Sequence, residues 1–340
     1  MKTVYSDAHR LHAPELELAG NRFVPAYEQP VRADSVLDRV ASSRLGSVEP
    51  PHDFGRAPIE AVHVRDFVDF LASAWHDWSA AGEHGDAVAS SGRMHDMGQR
   101  LPRSIVGRVA HYSFDATPIT AGTWTAVYAA AQVALTAGSY LARGDRSAFG
   151  LCRPPGHHAS RDYCGGYCYL NNAAIAAQSL LDAGGTRVAI LDVDYHHGNG
   201  TQSIFYDRDD VLFVSIHADP DEEYPYFLGY ADETGVGRGA GYNLNLPLPV
   251  GTGAAEWFDA LSVACERVVQ HRADALVVSL GVDTFERDPI SCFKLETRDY
   301  LRVGERVAAL GLPTLFVLEG GYALDEIAEN VTNVLIGAHR

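Results

Sequence analysis

The chain has 340 residues, of which 46% are hydrophobic, and a formal net charge of −17 at pH 7. That length and apolar content suit one packed α/β domain or two modest ones and exclude a disordered chain. So acidic a balance repels nucleic-acid phosphates and anionic lipid and attracts cations, so no nucleic-acid or membrane partner is expected.

In chain order, the opening segment from Met1 to Asp7 lacks a basic stretch followed by an apolar core, so it reads as having no signal peptide and a cytoplasmic location is expected. No apolar run is long enough to span a bilayer. Helices are predicted over 31–44 and 64–80. Residues 82–118 carry many glycines, serines and polar side chains without a firm period and read as an ordered but irregular insertion. Segments of that kind in a compact domain are usually functional or form an interface; the resemblance drawn below implies that the insertion over 82–120 lies at a dimer interface and a channel rim. From there helices and short apolar strands alternate: helix 123–141, strand 147–151, helix 170–183, strand 187–194, strand 211–216, helix 256–270, strand 273–280, helix 297–310, strand 313–318 and helix 324–336. Alternation of this kind implies crossover connections and a parallel sheet, and near-continuous apolar strands imply helices on both of its faces. No repeat or linker divides the chain, so 1–340 is read as a single domain. The five cysteines, Cys152, Cys164, Cys168, Cys265 and Cys292, are odd in number and irregularly spaced, which predicts buried or half-buried free thiols.

Several strand ends carry chemistry. The run Val188-Ala189-Ile190-Leu191 feeds into Asp192-Val193-Asp194-Tyr195-His196-His197-Gly198-Asn199-Gly200. In an extended chain Asp194 and His196 point to the same side, and carboxylate with imidazole suits zinc and its neighbours. Arg153-Pro154-Pro155-Gly156-His157-His158 places adjacent histidines in a stiff turn after another strand, where a metal-bound water would need a nearby base and a leaving group a nearby acid. Asp283, in Ser279-Leu280-Gly281-Val282-Asp283, alone reads as a turn aspartate; as a further metal-compatible group at a strand end it becomes a candidate ligand. Glu319-Gly320-Gly321-Tyr322 can turn a phenol inward as an oxyanion donor, or simply pack it under the turn. Gly166 and Tyr167 on one side and Tyr224 on the other read as channel walls, with ordinary core aromatics as the alternative.

Together these motifs resemble the arginase–deacetylase superfamily on its zinc-dependent, histone deacetylase-like branch, over essentially the whole chain, and within it look most like bacterial acetylpolyamine amidohydrolases. The resemblance implies the arginase/deacetylase fold, an α/β single-domain parallel β-sheet with helices on both faces. It implies one zinc per subunit (Fe2+ or Co2+ as alternatives) held by Asp194, His196 and Asp283. It assigns His158 as general base and then acid, His157 as its electrostatic partner, Asp192 and Asn199 as partners of their outer nitrogens, and Tyr322 as oxyanion donor. It also implies a structural potassium ion at Asp192, Asp194, His196, Ser215 and Ile216, and channel walls from Tyr167, Tyr224 and Gly166. The arginase branch holds two manganese ions and has an acid where this chain has Gly281, so one catalytic metal is expected. The implied activity is removal of acetyl groups from a small cationic acetylamine, an acetylated polyamine in a homodimer with Glu17 at the channel mouth. Residues 101–108 are basic where polyamine-specific relatives can carry an acid. That leaves acetyl-lysine deacetylation or deacylation open, with a non-catalytic acetyl-ligand binding protein as a further alternative.

Overall fold

Among the described residues, eight apolar or half-apolar segments pair into one sheet. The structure is a computed structural model that describes residues 1–20, 22–92 and 100–339. The strands are β1 (Lys2–Val4), β4 (Val48–Glu49), β5 (Ser147–Gly150), β6 (Val188–Asp192), β7 (Val211–Ala218), β8 (Asn243–Leu248), β9 (Ala275–Leu280) and β10 (Thr314–Leu318). Their order is β4-β1-β5-β10-β9-β6-β7-β8, and each pairing is parallel. A separate antiparallel hairpin joins β2 (Leu16–Ala19) to β3 (Arg22–Pro25).

Strand alternation divides the core into two layers, as expected. Val188, Ile190, Val277 and Val317 face α3 (Arg65–Ala80), α4 (Ile105–Tyr112), α5 (Thr123–Ala142) and α6 (Asn172–Asp182). Ala189, Leu191, Val278 and Phe316 face α1 (Val31–Ser43), α8 (Ala254–His271), α9 (Thr297–Ala308) and α10 (Ile327–His339). Each fully buried Val, Leu or Ile contributes about 1.5–3 kcal/mol, so these two layers supply the main stabilisation. The short α2 (Ala57–Glu60) and α7 (Asn199–Phe205) lie in connections. All five cysteines are free; Cys152, Cys164 and Cys168 are buried and the other two half-buried.

Several sequence expectations need correction. The strand predicted over 187–194 ends at Asp192. Beyond it, side-chain carboxylates take the backbone amides: Asp194 N donates to Asp192 Oδ1, Tyr195 N to Asp283 Oδ1 and His196 N to Asp194 Oδ1. Helix 170–183 begins at Asn172, because the Asn171 side chain accepts from Ala174 N and caps it. The insertion is not wholly irregular: α4 lies within it, and Arg108 of α4 donates to Asp77 of α3 at 3.1 Å. Residues 93–99 of that insertion lie outside the described residues. Glu17 sits on β2, in a hairpin that the sequence reading did not mark.

Candidate active site

The carboxyl ends of β5, β6, β9 and β10 are neighbours in the sheet, which brings the loops that follow them to one place. Asp194 and His196 follow β6 and Asp283 follows β9. One ligand atom from each lies within 4.8 Å of the others. His196 Nδ1 is 3.3 Å from Asp194 Oδ1 and 3.1 Å from Asp283 Oδ2. Both carboxylates are fully buried. Their remaining oxygens are held by backbone: Asp194 Oδ2 accepts from Gly320 N at 2.8 Å and Asp283 Oδ1 from Tyr195 N at 2.8 Å.

Two glycines wall this cluster. A Cβ at Gly281 would collide with the Asp194 carboxylate, and one at Gly320 with both Asp283 and Asp194. Burial, and then the charge of Asp194, push the Asp283 carboxyl up to about 7. His196 is raised to about 10 because the two carboxylates outweigh its burial. Two buried carboxylates sharing one imidazole call for a positive charge between them. An oxygen–nitrogen–oxygen donor set fits a borderline divalent ion. The residues therefore fit a metal, and Gly281 leaves no room there for a further acidic side chain.

The adjacent histidines follow β5. His157 Nδ1 lies 3.1 Å from Asp192 Oδ2, and His158 Nδ1 lies 2.6 Å from Asn199 Oδ1, at the start of α7. Their environments drive them apart. Burial opposes charge on both, but Asp194 and Asp192 overcome it and lift His157 to about 10. Burial, reinforced by the charges of His157 and His196, holds His158 well below the ordinary imidazole value. An amide oxygen only accepts, so His158 carries its proton on Nδ1 and keeps its lone pair on Nε2.

Tyr322 stands on the turn after β10, where Gly321 takes a φ of 130° that a side chain would strain. Its ring lies 5.6 Å from that of Tyr167. Its backbone amide donates to Asp288 Oδ2 at 2.7 Å. A cavity of about 410 Å3 joins Tyr322, His157, His158 and His196 to Gly166, Tyr167, Tyr224 and Glu17. Gly166 is required there, since a Cβ would meet the His158 ring. Tyr167 donates its hydroxyl to Glu17 Oε1 at 2.8 Å, and Tyr224 donates to Asp115 Oδ2 at 2.9 Å. Glu17 is 9% exposed. Burial raises its carboxyl, an effect opposed by the hydrogen bonds from Tyr167 and Tyr27. Phe227, next to the aromatic run that supplies Tyr224, points away from the wall and is 86% exposed.

The structure thus brings together the expected site residues. Of the residues assigned to potassium, Asp192 pairs in register with Ser215 on β7, which Ile216 follows. Sequence reasoning missed Asp115, which also accepts from Gly166 N at 2.7 Å, and the part Asp288 plays under Tyr322. The basic segment 101–108 contributes nothing to the described cavity lining. A larger hollow of about 560 Å3, lined by Lys2, Arg146 and His339 among others, lies apart from these groups.

Three candidate metal ligands, two histidines of opposite basicity and a phenol around one cavity are groups suited to hydrolysis, and the comparisons agree with that class. The chain belongs to the histone deacetylase domain family, whose sequence pattern matches residues 26–338. It is 58% identical over 340 residues to acetylpolyamine amidohydrolase 1 of Pseudomonas aeruginosa, covering 99% of this chain and 98% of that one. It is 47% identical over 338 residues to the acetylpolyamine amidohydrolase of Mycoplana ramosa, covering 99% of each. The crystal structure of acetylpolyamine aminohydrolase from Burkholderia pseudomallei matches with a TM-score of 0.95 at 39% identity, covering 100% of this chain and 99% of that one. The architecture and the deacetylase class expected from the motifs both hold.

Proposed function

We propose that this enzyme is a zinc-dependent amidohydrolase that removes acetyl groups from acetylated polyamines and related acetylamines. The observation that carries the reading is one cavity that holds the histidine pair, His196 and Tyr322 and is also lined by three acids, Glu17, Asp115 and Glu223. A cationic amine tail finds complementary charge there, while the acetyl group reaches Asp194, His196 and Asp283. A zinc ion held by those three residues would supply Lewis acidity toward the acetyl carbonyl and water.

The protein's own groups do the rest. His158 Nε2 takes a proton from the attacking water, and the carbonyl carbon becomes tetrahedral. Tyr322 donates its hydroxyl hydrogen to the developing oxyanion. His158 then returns the proton to the amine nitrogen as the C–N bond breaks, releasing acetate and a free amine. His157, held cationic by Asp192, stabilises negative charge without exchanging protons, and Asn199 fixes the tautomer of His158. A potassium ion at Asp192, Asp194, His196, Ser215 and Ile216 would hold the β6 and β7 ends together. We assign a single domain, since no linker divides the chain, a homodimer on the resemblance, and the cytoplasm as its location.

The test compares acetylputrescine, acetylspermidine and an acetyl-lysine peptide with and without chelator. Chelator-sensitive turnover that zinc restores, with the polyamines preferred, is expected. Preference for the peptide would move the assignment to acetyl-lysine deacetylation. Binding without turnover in the zinc-loaded protein would make it an acetyl-ligand binding protein.

A further inference from the structure

Catalysis as read above requires two loops to keep a fixed separation. One leaves β5 and carries His157 and His158; the other leaves β10 and carries Tyr322. One buried carboxylate ties them together. Glu28, in the turn before α1, is 1% exposed. Its Oε1 accepts from Arg153 Nε at 2.8 Å and from Arg32 Nη1 at 2.7 Å, and its Oε2 accepts from Arg153 Nη2 at 2.8 Å.

The two arginines reach opposite loops. Arg153 opens the histidine loop, and its other donors hold the backbone oxygens of His9 at 2.6 Å and His12 at 2.8 Å. Arg32 donates Nε to Gly321 O and Nη2 to Glu319 O, each at 2.6 Å, and its guanidinium lies 4.5 Å from the centroid of the Tyr322 ring. A second tie closes the ring of contacts. The Glu319 side chain reaches back to the histidine loop, accepting from Gly156 N at 2.6 Å and His157 N at 3.1 Å. Burial alone would raise the Glu28 carboxyl, yet Arg153 and Arg32 hold it below its ordinary value. Arg153 grips Glu28 as a two-pronged fork, which fixes direction as well as distance.

We propose that Glu28 is a positioning residue for amide hydrolysis: through Arg153 and Arg32 it sets the separation between the histidine loop and the Tyr322 hydroxyl. The proposal rests on the roles given above to His158 and Tyr322. A displacement of about 1 Å at reacting groups can cost about 100-fold in rate.

The experiment is a double-mutant cycle in the zinc-loaded full chain. Glu28→Gln keeps the shape and removes the charge. It is expected to lower kcat about 100-fold while KM and bound zinc stay near the parent values. Added to Tyr322→Phe, it is expected to cost less than about threefold more, because groups that act as a unit are not additive. If Glu28→Gln does not fold, Arg32→Lys takes its place, since lysine keeps the charge but cannot hold Glu28, Glu319 O and Gly321 O together. Unchanged kcat, a loss confined to KM, or full multiplication of the two effects overturns the proposal while the Tyr322 role stands. Undiminished turnover in Tyr322→Phe alone removes that role, and the proposal falls with it.

Discussion

His63 gives this protein a built-in sensitivity to acid that can be worked out in detail. The imidazole is fully buried between α2 and α3. Its Nδ1 lies 2.7 Å from Ser160 O, and its Nε2 accepts from Asn171 N at 2.9 Å. A carbonyl only accepts and an amide N–H only donates, so one neutral tautomer satisfies both contacts, and protonation at Nε2 breaks the one from Asn171 N. Burial, the dominant cause, depresses His63 from 6.5 to about 4, against the pull of the Ser160 carbonyl. The sign follows from linkage. Between pH 6.5 and about 4 the unfolded chain binds a proton at this site that the folded chain refuses. The contribution is complete above the unfolded value, declines as pH falls toward 4, and then levels off. At 1.36 kcal/mol per unit it amounts to about 3 kcal/mol, a large share of the roughly 5–15 kcal/mol that keeps a domain folded.

Urea unfolding of the parent and of His63→Gln at several pH values between 8 and 4 measures this. Histidines His9, His12 and His217 are also depressed to about 4, largely by burial, so the difference between the two proteins isolates His63. Between pH 7 and 4 the parent should lose about 3 kcal/mol more than the variant. Nitrogen-15 spectra of the ring should show the Nδ1–H tautomer persisting below pH 5. A folded parent in which His63 titrates near 6.5, or equal pH slopes in the two proteins, refutes the reasoning. The effect bears on activity because Ser160 and Asn171 flank the histidine loop, and Asn171 Nδ2 also holds Ala159 O at 3.0 Å.

Replacing Tyr322 by Phe should lower kcat by about 100- to 1,000-fold while leaving affinity for a competitive inhibitor within about threefold, read by steady-state kinetics and calorimetry. Asn199→Asp places a carboxylate on His158 Nδ1, which raises that imidazole; the acid limb of the kcat–pH profile should move to higher pH, and an unmoved limb would contradict the role of His158 as a neutral base. Gly281→Ala forces a methyl group against Asp194 and should weaken metal binding by about 10-fold or more, measured by competition with a chromophoric chelator; parent-like affinity would show that the glycine wall is irrelevant.

The interior of the fold was readable because its strands are buried on both faces. β6, β9 and β10 are continuous apolar runs, and the structure leaves every residue of each buried. The edge strands lacked that signal. β4 is two residues long with Val48 37% exposed, and β8 alternates Asn243 and Asn245 with Leu244 and Leu246. Their pairing comes from the neighbours they extend. The candidate metal ligands are legible because each follows a strand that can be recognised. The convergence of Asp194 and His196 was expected for the wrong reason: carboxylates capturing backbone amides curl the chain there, whereas strand alternation had been the premise. Asp115 gave no local cue, since its partner Tyr224 lies 109 residues away. Glu28 and Arg153 are likewise 125 residues apart, and only the folded chain makes them a pair.

The backbone grip on Asp194 and Asp283 has one more consequence. Gly320 N and Tyr195 N hold the two carboxylates from behind, so their orientation belongs to the loops rather than to any guest ion. A cage built in advance can be emptied and refilled without melting the chain, unlike a zinc finger that collapses once stripped. Occupancy by a metal would then follow the supply of free cations in the surrounding medium, and the same folded polypeptide would exchange one first-row ion for another as that supply shifts.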